Sequence, residues 1–296
     1  MPKLQQQEQI RVGLQALLDN KGLSQNDLAR MTDVSAANIS HILTGRADRI
    51  MSEEIWNRAA APLGELAGFR LLTTEGYNAV VATCDTARAN GGLAVVLGQP
   101  GFGKTAALRH YFKRQPHVYY TEFWYSMSRR EFFVAVARAL AVDAGKRPTL
   151  AYLIQRCADK LNANTGSLLI IDEASTMQPE KLNYVRELRE RTQHHAGIVL
   201  AGVPYFYARL ERQAAREREG VPELLSRVGT LATLPAPTKP ELLAVCELNG
   251  VGKADAKALL SSSARLPEYR TLGHLIRQHR AQAAQLAPAL ETANAA

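Results

Sequence analysis

Two spacings of apolar residues alternate along the middle of the chain. Consecutive apolar residues that end at Gly98 predict a buried strand, and so do the stretches 117–123, 166–172 and 197–203. Between them, apolar residues at helical spacing predict helices over 75–90, 129–142, 149–163 and 180–192. This alternation predicts an α/β fold with a largely parallel sheet, helices on both faces, and a ligand site at the carboxyl ends of the strands.

The two ends of the chain have patterns of their own. Short amphipathic helices are predicted within 23–45, and an Ala/Pro/Gly-rich stretch follows Trp56. From 237 onward the spacing of apolar residues predicts helices only. We therefore expect a helix-turn-helix domain at 1–66, a linker at 67–74, an α/β core at 75–236 and a small helical lid at 237–296. A chain of 296 residues is long enough for one such core with smaller attachments.

The segment 23–45 has the layout of two helices joined by a tight turn. Ser24 with Asp27 predicts the cap of the first helix, Ser35 with Asn38 predicts the start of the second, and Gly45 predicts its end. Apolar side chains at helix-turn-helix spacing occur at Leu28, Ala29, Val34, Ile39 and Ile42.

This segment resembles the repressor-type helix-turn-helix family. Asp33 replaces the glycine that is common at the turn, and aspartate tolerates the left-handed conformation required there. The resemblance implies that the second helix presents Asn38, the best base reader of the set, to the DNA major groove. A three-helix module that docks a protein is the alternative, because this helix has no Lys or Arg for phosphate contacts. The residues expected to face the groove are Ser35, Ala36, Ala37, Asn38 and His41.

Charge is unevenly distributed along the chain. The formal net charge is +8, yet residues 1–66 carry seven Lys/Arg and eight Asp/Glu, which leaves +9 for the remainder. A polyanionic partner is therefore expected to bind mainly outside residues 1–66. No apolar stretch is long enough to span a bilayer and the start has no signal-peptide core, so we expect a cytoplasmic protein without a membrane partner. The cysteines are far apart in sequence and are expected to be reduced packing residues: Cys84, Cys157 and Cys246.

The stretch GQPGFGKT, residues 98–105, matches the phosphate-loop pattern G-x-x-x-x-G-K-[ST] in full. Its glycines allow successive backbone N–H groups to converge on an anion at the positive end of the following helix. Lys104 is placed to reach the β- and γ-phosphates, and the Thr105 hydroxyl is placed to bind Mg²⁺. The predicted nucleotide contacts are Gly98, Gln99, Pro100, Gly101, Phe102, Gly103, Lys104, Thr105 and Ala106.

A second motif, GSLLIIDEAS at 166–175, ends a predicted buried strand with two carboxylates. Asp172 is expected to hold Mg²⁺ through water, and Glu173 to orient and deprotonate the attacking water. Adjacent carboxylates after a strand also serve as helix caps, but the phosphate loop upstream favours the catalytic interpretation. The two motifs together predict a site that binds and hydrolyses ATP or a similar nucleotide.

A nucleotide-binding α/β core followed by a helical lid resembles the AAA+ ATPases. The order of helix-turn-helix, linker, core and lid is similar to that of the AAA+ ATPases that select DNA targets for transposition in phage Mu, insertion sequences and Tn7-type elements. The resemblance covers nearly the whole chain and rests on GQPGFGKT, LLIIDEA, GIVLAG, LLSRV and LPEYRTLGHLIR. It implies ATP and Mg²⁺ as cofactors, double-stranded DNA and a transposase as partners, and self-association into a helical filament or ring.

The resemblance also implies roles for single residues. Arg227 in LLSRV corresponds to an arginine finger offered to the nucleotide of the neighbouring subunit, and Arg270 in PEYRTL to a lid arginine that senses the γ-phosphate. A surface arginine is the alternative for each. Val203 stands where the family has a polar sensor, which indicates slow hydrolysis. The loop DAGKRPT matches a basic stretch of the phage Mu member, and the expected DNA phosphate contacts are Lys146 and Arg147, with Arg129 and Arg130 as weaker candidates.

The sequence therefore predicts an ATP-dependent, largely sequence-nonspecific DNA-binding ATPase that assembles on target DNA and recruits or stimulates a transposase. Two alternatives are a helicase loader of the same fold and a transcriptional regulator whose helix-turn-helix reads an operator. ATP-dependent binding that is indifferent to sequence favours the first reading, and binding to a single palindromic site favours the last.

Overall fold

The computed structural model describes residues 4–21, 23–46, 51–60, 71–146, 148–192, 195–261 and 266–293. Along these ranges, helices come first, an α/β core follows, and a further group of helices ends the chain. None of the helices in these ranges is both long and apolar enough to cross a membrane.

The N-terminal helices contain the predicted helix-turn-helix. Ser24 and Asp27 form a capping box, because Ser24 Oγ accepts from the Asp27 N–H at 3.2 Å and Asp27 Oδ2 accepts from the Ser24 N–H at 2.9 Å. Asp33 ends the first of these two helices with φ 55°, the left-handed turn that the sequence predicted. Ser35 Oγ caps the next helix through the Asn38 N–H at 3.2 Å. The helices described in this part are α1 (Leu4–Lys21), α2 (Gln25–Thr32), α3 (Ala36–Leu43) and α4 (Glu53–Ala60).

The core is one parallel sheet. Its strands are β1 (Leu93–Leu97), β2 (Val118–Glu122), β3 (Ser167–Asp172), β4 (Ala196–Gly202) and β5 (Val228–Thr233). They lie in the order β2, β3, β4, β1, β5, and every pair of neighbours is parallel. The phosphate loop after β1 and the carboxylates after β3 therefore both lie at the carboxyl ends of the strands, on either side of β4.

Helices cover both faces of the sheet. Successive side chains of β3 enter different apolar clusters, with Leu169 and Ile171 on one face and Leu168 and Ile170 on the other. The predicted doubly covered sheet is confirmed. The covering helices are α5 (Glu75–Asn90), α6 (Lys104–Arg114), α7 (Arg129–Ala139), α8 (Leu150–Asn162), α9 (Pro179–Thr192), α10 (Pro204–Ala214) and α11 (Val221–Leu225), with a short 3₁₀ helix at Ala174–Thr176.

The N-terminal helices pack against this core. α1 contacts α6, and Leu14 lies in the same buried cluster as Ala107 and Phe112 of α6. The Arg30 side chain of α2 donates from Nη1 to the Ala141 carbonyl at 3.4 Å. The helix that follows the phosphate loop therefore shares a continuous apolar core with the N-terminal helices.

The C-terminal helices form a small unit with its own apolar cluster. They are α12 (Lys239–Leu248), α13 (Lys253–Ser261) and α14 (Tyr269–Ala293). Thr238 and Glu241 cap α12 reciprocally, with the Thr238 N–H donating to Glu241 Oε2 at 2.9 Å. The buried cluster comprises Leu242, Val245, Cys246, Val251, Ala256, Leu260, Leu272 and Ile276.

Several features differ from the sequence prediction or were absent from it. The sequence analysis did not predict β5, whose residues alternate between half-buried and exposed at the sheet edge and include Gly229. It also omitted α1, α4, α10 and α11. Helix α7 ends at Ala139, before the predicted 142, because Ala141 adopts φ 54°. The three cysteines are free and buried, as predicted. The domain boundaries stay a prediction, and most of the predicted linker lies outside the described residues.

Candidate nucleotide-binding site

The loop between β1 and α6 is shaped to surround an anion. Gly101 and Gly103 have φ values of 80° and 86°, a conformation that other residues rarely adopt. A Cβ on Gly98 would lie 3.1 Å from Leu234 Cβ and 3.3 Å from Lys104 Cγ, so this position has little room for a side chain. The first turn of α6 contains no acidic residue, and its free N–H groups face the loop. The arrangement favours a phosphate at the N-terminus of α6.

Lys104 is buried in this loop, at 9% exposure. Its Nζ donates to the Gly98 carbonyl at 2.6 Å and to the Gln99 carbonyl at 3.1 Å. Burial lowers the pKa of Lys104, and the nearby Asp172 and Glu173 oppose that shift. The amine is therefore held by neutral carbonyl groups that a phosphate can replace as hydrogen-bond acceptors.

Two oxygen atoms suited to Mg²⁺ lie together beside the loop. Thr105 Oγ1 donates to Asp172 Oδ2 at 2.7 Å, and Asp172 is only 1% exposed. Within the described ranges, no group of three or more His, Cys, Asp or Glu side chains could hold a metal ion by itself. An Mg²⁺ ion here would therefore complete its coordination with phosphate oxygens and water, which is how Mg²⁺ usually binds in nucleotide sites. The residues present fit Mg²⁺ bound together with ATP.

Glu173 follows Asp172 in a strained conformation. Its φ of 56° is in the left-handed region, and its N–H donates to Asp172 Oδ1 at 2.8 Å. The turn leaves the Glu173 carboxylate exposed while Asp172 stays buried. Partial desolvation and the negative charge of Asp172 raise the pKa of Glu173. A raised pKa makes this carboxylate a better proton acceptor than an ordinary glutamate.

A polar network behind Asp172 was missed by the sequence analysis. The Tyr120 hydroxyl lies 2.9 Å from Asp172 Oδ2 and 2.8 Å from Glu122 Oε1. Arg109 of α6 forms an ion pair with Glu122 and places its guanidinium 5.3 Å from the centre of the Tyr120 ring. Alternation along 117–123 places Tyr120 and Glu122 on one face of the strand. The sequence does not show that Glu122 pairs in register with Asp172.

The beginning of α14 lies on the phosphate loop. The Tyr269 N–H donates to the Gly101 carbonyl at 3.0 Å, and the Glu268 side chain fills the space that a Cβ on Gly101 would need. Arg270 is exposed, yet its charge contributes to the lowered pKa of Lys104. The structure therefore brings Arg270 to the site, and its role as a phosphate sensor stays a prediction.

Comparisons with known proteins agree with this geometry. Residues 87–210 match the AAA domain family, and residues 14–64 match a helix-turn-helix family. The ATP-dependent target DNA activators B of Escherichia phages D108 and Mu are each 26% identical to this chain over 279 residues, which cover 90% of this chain and 86% of each relative. The chain is a homologue of these B proteins. The Mu-like prophage FluMu DNA transposition protein B of Haemophilus influenzae is 32% identical over 170 residues, 56% of both chains.

The predicted AAA+ core and helix-turn-helix are thereby confirmed. Among solved structures, the ORC2 protein of Aeropyrum pernix has 15% identity and a TM-score of 0.49 over 72% of this chain and 69% of its own.

Arg227 does not belong to the nucleotide site of its own chain. It directly precedes β5, whose first residue, Val228, pairs with Leu93 at the amino end of β1. The phosphate loop begins beyond the other end of β1, about 16 Å away along the strand. Arg227 is exposed and lies 3.8 Å from Glu190 Oε1.

Val203 follows β4 at the position where a polar sensor was expected. Its side chain is half-buried, and its N–H donates to Ser175 Oγ at 2.8 Å. Ser175 itself is buried and lies close enough to Gly202 that a Cβ there would be 2.6 Å from its oxygen. The polar group beside the end of β4 is therefore a serine from the 3₁₀ helix after Glu173.

The predicted DNA contacts are spread over separate surfaces. On α3, His41 is exposed and Asn38 is half-buried, while the Ser35 hydroxyl already caps the helix. Lys146 is exposed in the loop between α7 and α8, and Arg147 lies outside the described residues. Arg129 and Arg130, which begin α7, are both exposed. Arg129 donates to the Tyr184 hydroxyl at 3.0 Å.

Proposed function

We propose that this chain is an ATP-dependent, largely sequence-nonspecific DNA-binding ATPase that assembles on target DNA and recruits or stimulates a transposase. The observation that carries the proposal is the grouping of Lys104, Thr105, Asp172 and Glu173 at one edge of the sheet. Relatives named as ATP-dependent target DNA activators align with 90% of this chain and support the action on target DNA. A relative named as a DNA transposition protein, which aligns with 56% of this chain, supports the assignment to transposition.

Each residue of the site has one task in hydrolysis. Lys104 leaves the loop carbonyls and binds the β- and γ-phosphates. Thr105 and Asp172 would hold Mg²⁺, which would supply positive charge to neutralise the phosphates. Glu173 accepts a proton from water as the water oxygen attacks the γ-phosphorus and the bond to the bridging oxygen of ADP breaks. Val203 offers no polar side chain to orient that water, and slow turnover is expected.

The position of Arg227 supports self-association. A side chain at the amino end of β5 cannot reach the phosphate loop of its own chain, about 16 Å away along β1. It is exposed, and among the described residues its ion-pair partner is Glu190 at the surface, so it is available to a second copy. We infer that ATP lies between adjacent copies, with Arg227 of one copy facing the γ-phosphate held by the next. Nucleotide binding then stabilises a filament or ring.

DNA binding is assigned mainly to the AAA+ part. Residues 71–293 contain the exposed cations Lys146, Arg129 and Arg130, whereas residues 1–66 have a net charge of −1. Phosphate contacts dominate nonspecific affinity, so a repeating array of basic loops suits binding without sequence preference. The helix-turn-helix adds a minor contact to DNA or to protein.

One observation favours a second candidate, an operator-reading regulator. The helix-turn-helix is fully formed, with a capping box, a left-handed Asp33 and an exposed His41 on α3. Such a module reads base edges through the first residues of its second helix. In this candidate, ATP would set only the oligomeric state.

Electron microscopy and binding assays on duplex DNA of random sequence test the proposal. With a nonhydrolysable ATP analogue we expect continuous assemblies, similar affinity for unrelated duplexes, and co-sedimentation of a transposase of the phage Mu type. Lys104→Ala is the matched control and should abolish assembly. Binding confined to one palindromic site, with or without ATP, would establish the regulator instead.

A further inference from the structure

The turn between β2 and α7 presents two large aromatic side chains to solvent. Trp124 and Tyr125 are 61% and 71% exposed, the two largest exposures among the large hydrophobic side chains of the described residues. Neither takes part in the nucleotide site or in the apolar clusters of the core. Two adjacent exposed aromatic residues are costly to keep in water, which indicates a binding role.

This turn is rigidly anchored on both sides. Phe123 is 2% exposed in the core, and its N–H donates to the Asp172 carbonyl at 3.0 Å. The Met127 N–H donates to the Trp124 carbonyl at 2.9 Å, which closes a four-residue turn, and Met127 packs against the core. Ser128 then caps α7 in a capping box with Glu131. The exposure of the two rings is therefore built into the backbone.

The charge around the turn indicates what the rings contact. Arg129 and Arg130 begin α7 directly after the turn, and both are exposed. Tyr184 holds Arg129 by a hydrogen bond of 3.0 Å and a ring contact at 5.7 Å, so its orientation is fixed. The segment 123–130 contains no acidic residue, and the first one after it, Glu131, is engaged in the cap. Paired cations beside stacking rings are the combination that binds nucleic acid.

We propose that Trp124 and Tyr125 contact the bases of duplex DNA, entering a partly unstacked base step, while Arg129 and Arg130 bind the flanking phosphates. The inference rests on the proposed DNA-binding function and adds a base-stacking element to it. Aromatic wedges of this kind act on any sequence, because every base has a flat face. The turn therefore strengthens binding without making it specific.

The position of Trp124 also provides the assay. The chain has two tryptophans, and Trp56 is 2% exposed, so the difference between wild type and Trp124→Phe isolates the emission of Trp124. A nonhydrolysable ATP analogue alone should leave that emission unchanged, and random duplex DNA should then quench it. A change with the analogue alone would place the turn between copies of the chain and overturn the proposal.

Affinity variants separate stacking from charge. Trp124→Ala should weaken duplex binding by about 5- to 150-fold at every salt concentration, with the slope of log affinity against log salt unchanged. Trp124→Phe should keep most of the affinity. Arg129→Ala and Arg130→Ala should each flatten the slope by about 0.9. Tyr205→Ala, which removes an aromatic residue of 58% exposure on α10, is the matched control and should bind as wild type.

The outcomes distinguish this inference from the proposed function. If wild type binds random duplex with ATP but Trp124→Ala binds equally well, only the stacking role is refuted. If Trp124→Ala loses ATP-driven assembly in the absence of DNA, measured by sedimentation, the turn serves contact between proteins. If wild type does not bind random duplex at all, both the proposed function and this inference are wrong.

Discussion

Replacement of Tyr120 by Phe removes one hydroxyl from behind the carboxylate of Asp172, the proposed Mg²⁺ ligand. That hydroxyl lies 2.9 Å from Asp172 Oδ2 and 2.8 Å from Glu122 Oε1, in a region where Asp172 is 1% exposed. Asp172 keeps its hydrogen bonds from the Thr105 hydroxyl and the Glu173 N–H, and Glu122 keeps its ion pair with Arg109. The loss is therefore the hydrogen bond that the hydroxyl donates to these carboxylates together with the one that it accepts from Arg109 Nε at 3.2 Å, about 1.5–3 kcal/mol each.

This loss should appear in two independent measurements. Without nucleotide, the unfolding midpoint of Tyr120→Phe should fall by about 6–12 °C, at about 2 °C per kcal/mol for a chain of this length. In ATPase assays, the Mg²⁺ concentration for half-maximal activity should rise by about 10- to 100-fold, the usual cost of removing a group that orients a metal ligand. The Michaelis constant for ATP at saturating Mg²⁺ should change little, because the phosphate loop is untouched.

The neighbouring tyrosine supplies the control. Tyr119 lies on the opposite face of β2 and is also buried, at 7% exposure, so Tyr119→Phe removes a similar hydroxyl that does not contact Asp172. If the two variants show the same Mg²⁺ dependence, Tyr120 has no part in positioning Asp172. If Tyr120→Phe lowers stability but leaves the Mg²⁺ dependence at the wild-type value, its role is structural alone.

Three further predictions address the base, the subunit contact and the DNA surface. Glu173→Gln should slow hydrolysis by about 100- to 10,000-fold while ATP still binds. In wild type, the raised pKa of Glu173 should make the hydrolysis rate fall on acidification at a higher pH than it would for an ordinary glutamate. The pH profile of the variant should lack this fall in rate. Arg227→Ala and Lys104→Ala should each abolish DNA-stimulated hydrolysis, and their mixture should recover part of it; no recovery at any ratio contradicts a role between subunits. Lys146→Ala should flatten the salt slope of duplex binding by about 0.9, whereas Asn38→Ala, which removes no cation, should change neither the slope nor the affinity for random duplex. A large loss of affinity for Asn38→Ala, with an unchanged slope for Lys146→Ala, would make α3 the DNA anchor.

The packing of the N-terminal helices decides how that last test is made. Leu14 of α1 and Phe112 of α6 belong to one buried cluster. Deleting residues 1–66 would therefore expose apolar surface on the helix that follows the phosphate loop. A surface substitution such as Asn38→Ala tests the helix-turn-helix without disturbing this core.

Local patterns determined most of the fold and the centre of the site. The glycines of the phosphate loop, Lys104 and Thr105 are contiguous, and a buried strand that ends in Asp172 and Glu173 has a distinct composition. Backbone geometry is set within a few residues in each motif, as the left-handed Asp33 and the glycine turns show. The caps of α2 and α3 were predictable for the same reason.

Contacts between segments distant in sequence could be identified only from the tertiary structure. Strand order and register place Glu122 beside Asp172 and put Arg227 at the amino ends of the strands, opposite the phosphate loop. They also leave β5 half-exposed. The docking of Tyr269 on Gly101 and the exposure of Trp124 depend in the same way on how packed elements meet. Side-chain spacing determines which face of a strand or helix a residue occupies, but it carries no information on which other element that face meets, because that choice is made by the packing of the whole core.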